Sequence, residues 1–145
     1  MPIPLRKSIV IIDDETSYAR LLTEMMSVHL DCRIDAFARP LDALAALPTL
    51  DVGVVVTDYS MPQLNGVEFI AQASVLLPNV PFILITGHTA GMINSEELAK
   101  IGSLKCVMLK PFGWRKLAEE IIRLWPEPGA NRLRGESRQV ASLHF

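Results

Sequence analysis

Ser8-Ile9-Val10-Ile11-Ile12-Asp13-Asp14-Glu15 joins two kinds of pattern: a short apolar, β-branched run stops at a cluster of acids, and the apolar residues beyond it change their spacing. A run of that length and composition reads as a strand buried on both faces. After the acids, Tyr18, Leu21, Leu22, Met25, Met26 and His29 recur at the i, i+3, i+4, i+7 positions of one helix face. His29, at the end of that stripe, reads as a helix-end residue rather than a ligand.

The same strand-then-helix unit recurs along the chain. Residues 32–37 form a second strand-like run, followed by a helix over 40–47 that carries Pro40 in its first turn and is closed by Pro48. Residues 52–57 are a third strand, after which Asp58 opens a turn-rich loop to Gly66 and a helix over about 67–77, stopped by Pro78. A fourth strand starts at Pro81 and runs to Ile85. The following helix is short: Asn94 is its expected N-cap with Glu97 reaching back, and Ile93 packs on Leu98 as a staple. Residues 106–109 form the fifth strand. The last helix carries Trp114, Leu117, Ala118, Ile121, Ile122 and Trp125 on one face and Arg115, Lys116, Glu119, Glu120 and Arg123 on the other. Strands alternating with helices in this way specify a doubly wound α/β domain with a parallel sheet.

Four polar residues stand where these strands end: Asp13, Asp58, Thr86 and Lys110. In open parallel sheets the reactive groups collect outside the carboxyl ends of the strands, so these four can meet in one pocket. Taken singly each has a plainer explanation. Acids at 13–15 suit a helix N-terminus, Asp58 suits a turn, Thr86 a strand end, and Lys110 before Pro111 an exposed loop. Their joint occurrence outweighs those explanations. Three carboxylates brought together repel by about 4 kcal/mol per pair at ~4 Å with an effective dielectric near 20, so positive charge must join them. Lys110 supplies one charge, and a hard divalent cation with oxygen ligands, Mg²⁺ above all, supplies the rest.

The bulk composition excludes several classes. The chain has 145 residues, half of them hydrophobic, which suits one self-sufficient domain. A net charge of −2 leaves no basic cluster to replace counterions on nucleic acid or anionic lipid; Arg132, Arg134 and Arg138 form the one basic stretch. No apolar run approaches the roughly 20 residues that cross a bilayer, and the first strand follows almost at once, without a signal-peptide pattern. A cytoplasmic location is the expectation. From Pro126 onward periodicity ends, and residues 126–145 read as a tail or linker too short for an output module such as a helix-turn-helix.

The motifs Ile11-Ile12-Asp13-Asp14-Glu15, Thr57-Asp58-Tyr59-Ser60-Met61-Pro62 with Asn65-Gly66, Ile85-Thr86-Gly87-His88 and Lys110-Pro111-Phe112 resemble, in identity, order and spacing, the receiver domains of bacterial two-component response regulators. The resemblance covers roughly residues 7–125. It implies a flavodoxin-like (βα)5 fold with a five-stranded parallel sheet of order 2-1-3-4-5, an order the general rule for such sheets itself illustrates with a member of this family. It implies a phosphoacceptor domain over 1–125 and a poorly ordered tail or linker over 126–145. Asp58 would accept a phosphoryl group from a phosphohistidine on a histidine kinase or histidine phosphotransfer protein. Asp14, Asp58 and the Ser60 backbone carbonyl would hold Mg²⁺, Asp13 would act mainly through water, and Thr86 and Lys110 would bind phosphoryl oxygens. Such a chain assists its own phosphorylation and dephosphorylation without being an enzyme in the usual sense. Its further partners would be a downstream output domain or protein, or a second copy in a homodimer, with no nucleic acid bound directly. In the implied order Cys32 and Cys106 lie about four spacings of ~4.8 Å apart, beyond the ~7 Å limit for a disulfide, so both should be reduced and inert.

One position departs from the family pattern. Many members carry Tyr or Phe three residues before the strand 5 lysine, where this chain has Val107; a β-branched aliphatic side chain offers no aromatic switch, and the plain reading makes Val107 core. The alternatives are correspondingly few. A haloacid-dehalogenase-type aspartyl-phosphate hydrolase also uses Asp, Thr, Lys and Mg²⁺, but its nucleophile resembles a first-strand Asp with an acid two residues on, where Asp58 has Ser60. A flavin phosphate would be repelled by Asp13, Asp14 and Glu15. A receiver used only as a docking module or phosphate sink stays open, as does the C-terminal receiver of a hybrid histidine kinase, which the segment 77–81 and the 109–112 motif before the last helix also resemble.

Overall fold

Every residue of β1 (Ser8–Ile12) is buried, as a central strand flanked on both edges and covered on both faces requires. In the computed structural model, which describes residues 7–87, 95–126 and 140–145, β1 lies between β2 (Arg33–Phe37) and β3 (Val52–Asp58). Beyond β3 come β4 (Phe82–Thr86) and β5 (Leu104–Leu109), and beyond β2 comes β6 (Val140–His144). All the pairings are parallel. The five inner-domain strands therefore run 2-1-3-4-5, as the resemblance implies, and a sixth is added outside β2.

Successive strand residues point to opposite faces, and the core divides accordingly. Ile9 and Ile11 of β1 pack with Leu22 and Met26 of α1 (Thr16–His29) and with Leu117, Ile121 and Trp125 in and after α5 (Trp114–Leu124). Val10 and Ile12 face the other way, onto Ala43 of α2 (Pro40–Ala46) and Phe69, Ile70 and Ala73 of α3 (Gly66–Leu76). Leu98 of α4 (Ser95–Lys100) is packed at the rim of that second layer.

Several expectations shift in detail. The buried face of α1 is Ala19, Leu22, Thr23 and Met26, whereas Leu21 is exposed, because the stripe meets the sheet about one residue round from its hydrophobic centre. His29 does sit at the helix end, where its ring stacks on Trp114 at 3.7 Å and ties α1 to α5. The second α-helix does end just before Pro48, at Ala46, and Pro48 itself lies in a 3-10 turn, Leu47–Thr49, that follows. The cap expected at Asn94, with Ile93, falls outside the described residues. A capping box is present instead at α3, where Asn65 accepts from the Glu68 N–H at 2.8 Å and Glu68 accepts from the Asn65 N–H at 2.9 Å.

Two further departures bear on function. Val107 is not core: β5 is the outermost strand on its side, and the residue is 42 % exposed, with Leu109 beside it on the same face 57 % exposed. Within the segment read as a tail, residues 140–144 form β6, in register from Arg33↔Val140 to Phe37↔His144. A strand this short shows no periodicity of its own; its fit comes from partners in β2, more than a hundred residues away in sequence. Among the described residues Cys32 and Cys106 are not joined in a disulfide, and no helix is long and apolar enough to cross a membrane.

Candidate functional site

The carboxyl end of the sheet gathers the polar residues. Asp13 follows the last residue of β1, and its N–H donates to the Phe37 carbonyl at 3.0 Å, fixing the backbone at that strand end. Its Oδ1 accepts from the Glu15 N–H at 2.9 Å. Asp58 ends β3 and is 8 % exposed; Asp13 is 3 % exposed, and Asp14 opens to solvent. Carboxylate oxygens of Asp13, Asp14 and Asp58 lie within 4.8 Å of one another.

Lys110, just past β5, reaches across the sheet end to these acids. Its Nζ is 3.2 Å from Asp58 Oδ1 and 3.8 Å from Asp13 Oδ2. The ammonium also stands 4.4 Å from the centre of the Tyr18 ring, a cation–π contact from the first turns of α1. Thr86, buried at the end of β4, is held beside this group through the Lys110 N–H, which donates to the Thr86 carbonyl at 2.8 Å. Ser60 lies in the exposed loop just after Asp58. The structure thus brings Asp13, Asp14, Asp58 and Lys110 together, with Thr86 at the neighbouring strand end and Ser60 at the rim. His88 lies outside the described residues.

The electrostatics follow from this crowding. Burial pushes the Asp13 carboxyl up to about 6 from the ordinary 3.8, with the neighbouring Asp58 and Asp14 adding to it against the Glu15 N–H and Lys110. Burial likewise raises Asp58, opposed by Lys110. For Lys110, burial acts to lower the ammonium, but Asp13 and Asp58 more than offset it and the value rises. Tyr18, raised by burial, stays a neutral phenol. One cation facing three acids leaves the pocket short of positive charge.

The loop after Asp58 is held close by Gly66, whose N–H donates to the Tyr59 carbonyl at 2.7 Å. A Cβ there would stand 2.5 Å from the Asp58 carbonyl oxygen and 2.6 Å from Leu84 Cδ1. Gly66→Ala is therefore expected to destabilise the fold by about 2 kcal/mol or more, read as a lower urea midpoint, and to displace the backbone of Asp58. An unchanged midpoint would show that this approach is not close.

Sequence reasoning placed Tyr18 in a hydrophobic stripe and did not foresee its contact with Lys110. The available signal was its place one helical turn beyond Asp14, on the side facing the strand ends.

A doubly wound parallel sheet with an acid-rich, lysine-countered pocket at its carboxyl end defines the class of α/β proteins whose site sits at the strand ends. Within that class the chain belongs to the response regulator receiver domain family, whose model matches residues 9–122. It is 33 % identical over 118 residues to the transcriptional regulatory protein FixJ of Rhizobium meliloti (strain 1021), covering 78 % of this chain and 54 % of that protein. It is 30 % identical over 116 residues to the C4-dicarboxylate transport transcriptional regulatory protein DctD of the same organism, covering 80 % of this chain and 25 % of the relative. The chain thus spans a quarter to about half the length of these relatives. A crystal structure of a CheY-like response regulator receiver domain protein from Methanospirillum hungatei JF-1 superposes with a TM-score of 0.69 at 23 % identity, over 81 % of this chain and 92 % of that one, a likeness of fold.

Proposed function

We propose that this chain accepts a phosphoryl group on Asp58 from a phosphohistidine of a histidine kinase or histidine phosphotransfer protein, with Mg²⁺ bound, and that loading shifts it between two arrangements. The observation that carries the reading is the placement of Lys110 Nζ 3.2 Å from Asp58 Oδ1 inside a cluster of three carboxylates. The donor set fits a hard cation: all-oxygen, over-supplied with negative charge, and open to water on the Asp14 side. Asp14, Asp58 and the Ser60 carbonyl would hold Mg²⁺, with Asp13 reaching it through water. Bound there, the ion supplies positive charge to the phosphoryl oxygens and offsets the acids.

The chain's own groups then have separate tasks. An Asp58 carboxylate oxygen attacks phosphorus in line, the phosphorus–nitrogen bond to the imidazole breaks, and an aspartyl acyl phosphate forms. Lys110 pairs with the phosphoryl oxygens as they gather charge, and the Thr86 hydroxyl donates to them. Such transfer depends on positioning and charge more than on covalent help from the protein. Once loaded, the hydroxyl of Thr86 is better satisfied facing the new anion, which draws on the segment following β4. The resulting signal is limited by the difference in interaction between the two arrangements. With Val107 exposed on β5 in place of an aromatic, this readout runs through Thr86 and α4 without a ring turning inward.

The proposed setting is the cytoplasm, with an output domain or separate protein downstream. The same exposed Val107 favours one second reading, a phosphate sink that loads without passing on a change of shape. Incubation with acetyl phosphate and Mg²⁺, followed by intact-mass and peptide mass spectrometry, tests the main reading. A single phosphoryl adduct on Asp58 is expected, and no adduct in excess EDTA. Absence of any adduct with Mg²⁺ present overturns phosphoacceptance; an adduct with unchanged amide exchange around α4 and β5 favours the sink.

A further inference from the structure

The outer edge of β2 is filled by β6, and the contacts there go beyond a backbone ladder. Asp35 stands in the middle of β2 with its side chain wholly buried. A carboxylate at that position is costly unless partnered. Arg33 pairs with it at 3.2 Å through Nε. Two further polar groups come from β6: His144 Nε2 lies 3.5 Å from Asp35 Oδ1, and Arg33 Nη2 donates to Ser142 Oγ at 3.4 Å. The His144 ring stacks on Phe37 at 4.3 Å, nearly parallel to it. Beyond it, the Arg20 guanidinium of α1 stands 5.4 Å from the centre of the Phe145 ring. Ser142, His144 and Phe145 are thus each read by a separate group.

We infer that the outer edge of β2 is a selective strand-acceptor site, for which residues 140–145 are the resident ligand, and that it takes in their place an extended polypeptide segment with the pattern hydroxyl residue, any residue, His, aromatic. Main-chain pairing supplies affinity and the alternate side chains supply selectivity, as in other strand additions. Asp35 enforces the selectivity. Uncovered, it puts a charge in the middle of an open edge, which deters arbitrary apolar strands, so a segment must bring its own polar partners. Two bare β2 edges pairing antiparallel about Asp35 would set like charges opposite each other. The resident strand is suited to exchange: it is the outermost strand on its side of the sheet, with Leu143 40 % and Phe145 37 % exposed. The segment joining it to α5 contains Pro126, Pro128, Gly129 and Gly135.

The test uses the full chain, wild type and Leu143→Pro, with a fluorescent peptide of residues 138–145. Proline is poorly tolerated inside a sheet ladder, so this substitution is expected to loosen the resident strand. Because a tethered strand competes at an effective concentration on the order of millimolar, the peptide is expected to bind Leu143→Pro at least about ten-fold more tightly than wild type. A peptide carrying His144→Ala, or an acceptor carrying Asp35→Asn as well, is expected to bind roughly ten-fold more weakly. Equal binding to both chains, or equal binding of a scrambled peptide, overturns the inference. Loss of amide protection in β1 and β3 of Leu143→Pro also overturns it, since the strand would then be integral to the fold. A concentration-dependent wild-type dimer that Leu143→Pro abolishes would assign the edge to a second copy of this chain instead.

Discussion

Asp58→Asn is expected to lower phosphoryl uptake from acetyl phosphate with Mg²⁺ by at least about 100-fold, which is only about 2.7 kcal/mol of barrier, while the chain stays folded. The amide has nearly the shape of the carboxylate but its oxygen is a poor nucleophile and carries no charge for a cation. Lys110 keeps a carboxylate neighbour in Asp13, 3.8 Å away, so the variant does not strand a buried ammonium. Stability should hold or rise, since burial and neighbouring acids already strain the ionised Asp58. Intact-mass spectrometry over a time course gives the rate, and a thermal melt checks the fold. Wild-type labelling of Asp58→Asn would place the phosphoryl group elsewhere, Asp13 being the nearest carboxylate to Lys110 after Asp58. That result would remove the basis for assigning separate tasks to Asp58, Lys110 and Thr86.

The parts of this molecule legible from the sequence are those decided locally. Ile9 to Ile12 and Val54 to Val56 are continuous apolar runs because both faces of their strands are covered, and the acid at each end marks where the strand leaves the core. The convergence of Asp13, Asp58 and Lys110 is legible in the sequence on that ground. What the sequence concealed depends on partners distant along the chain. Asp35 looks like a misplaced charge until Ser142 and His144 arrive from the far end. Val107 has the composition of a core residue, and only its place on the outermost strand leaves it exposed. Tyr18 fits a hydrophobic stripe equally well whether or not an ammonium lies over its ring. The α3 capping box at Asn65 and Glu68 has a legible spacing, but the Asn65-Gly66 pair within it is equally a turn signal.

Asp13→Asn is expected to stabilise the metal-free protein at neutral pH and to weaken its response to magnesium. In the folded chain Asp13 titrates at about 6 against an ordinary 3.8. Between those values the folded state holds more protons than the unfolded one, so the contribution of Asp13 to stability falls as pH rises through that window and is fully lost above it. The raised Asp58 acts in the same direction. With asparagine at 13 that loss disappears, and its side-chain oxygen can still accept from the Glu15 N–H. Allowing for solvent at the open side of the pocket, the gain in EDTA at pH 7 should be on the order of 1–2 kcal/mol, or roughly 3–6 °C in Tm. Near pH 4 the two chains should melt together. Magnesium reverses the comparison, because an ion that binds only the folded state stabilises it by mass action, and the wild-type acids bind it better. Melting curves at pH 4 and pH 7, with EDTA and with MgCl₂, separate the two effects. If Asp13→Asn melts lower than wild type at pH 7 in EDTA, then the buried acid is a stabilising element of the fold. The charge deficit from which the metal site is argued would not exist.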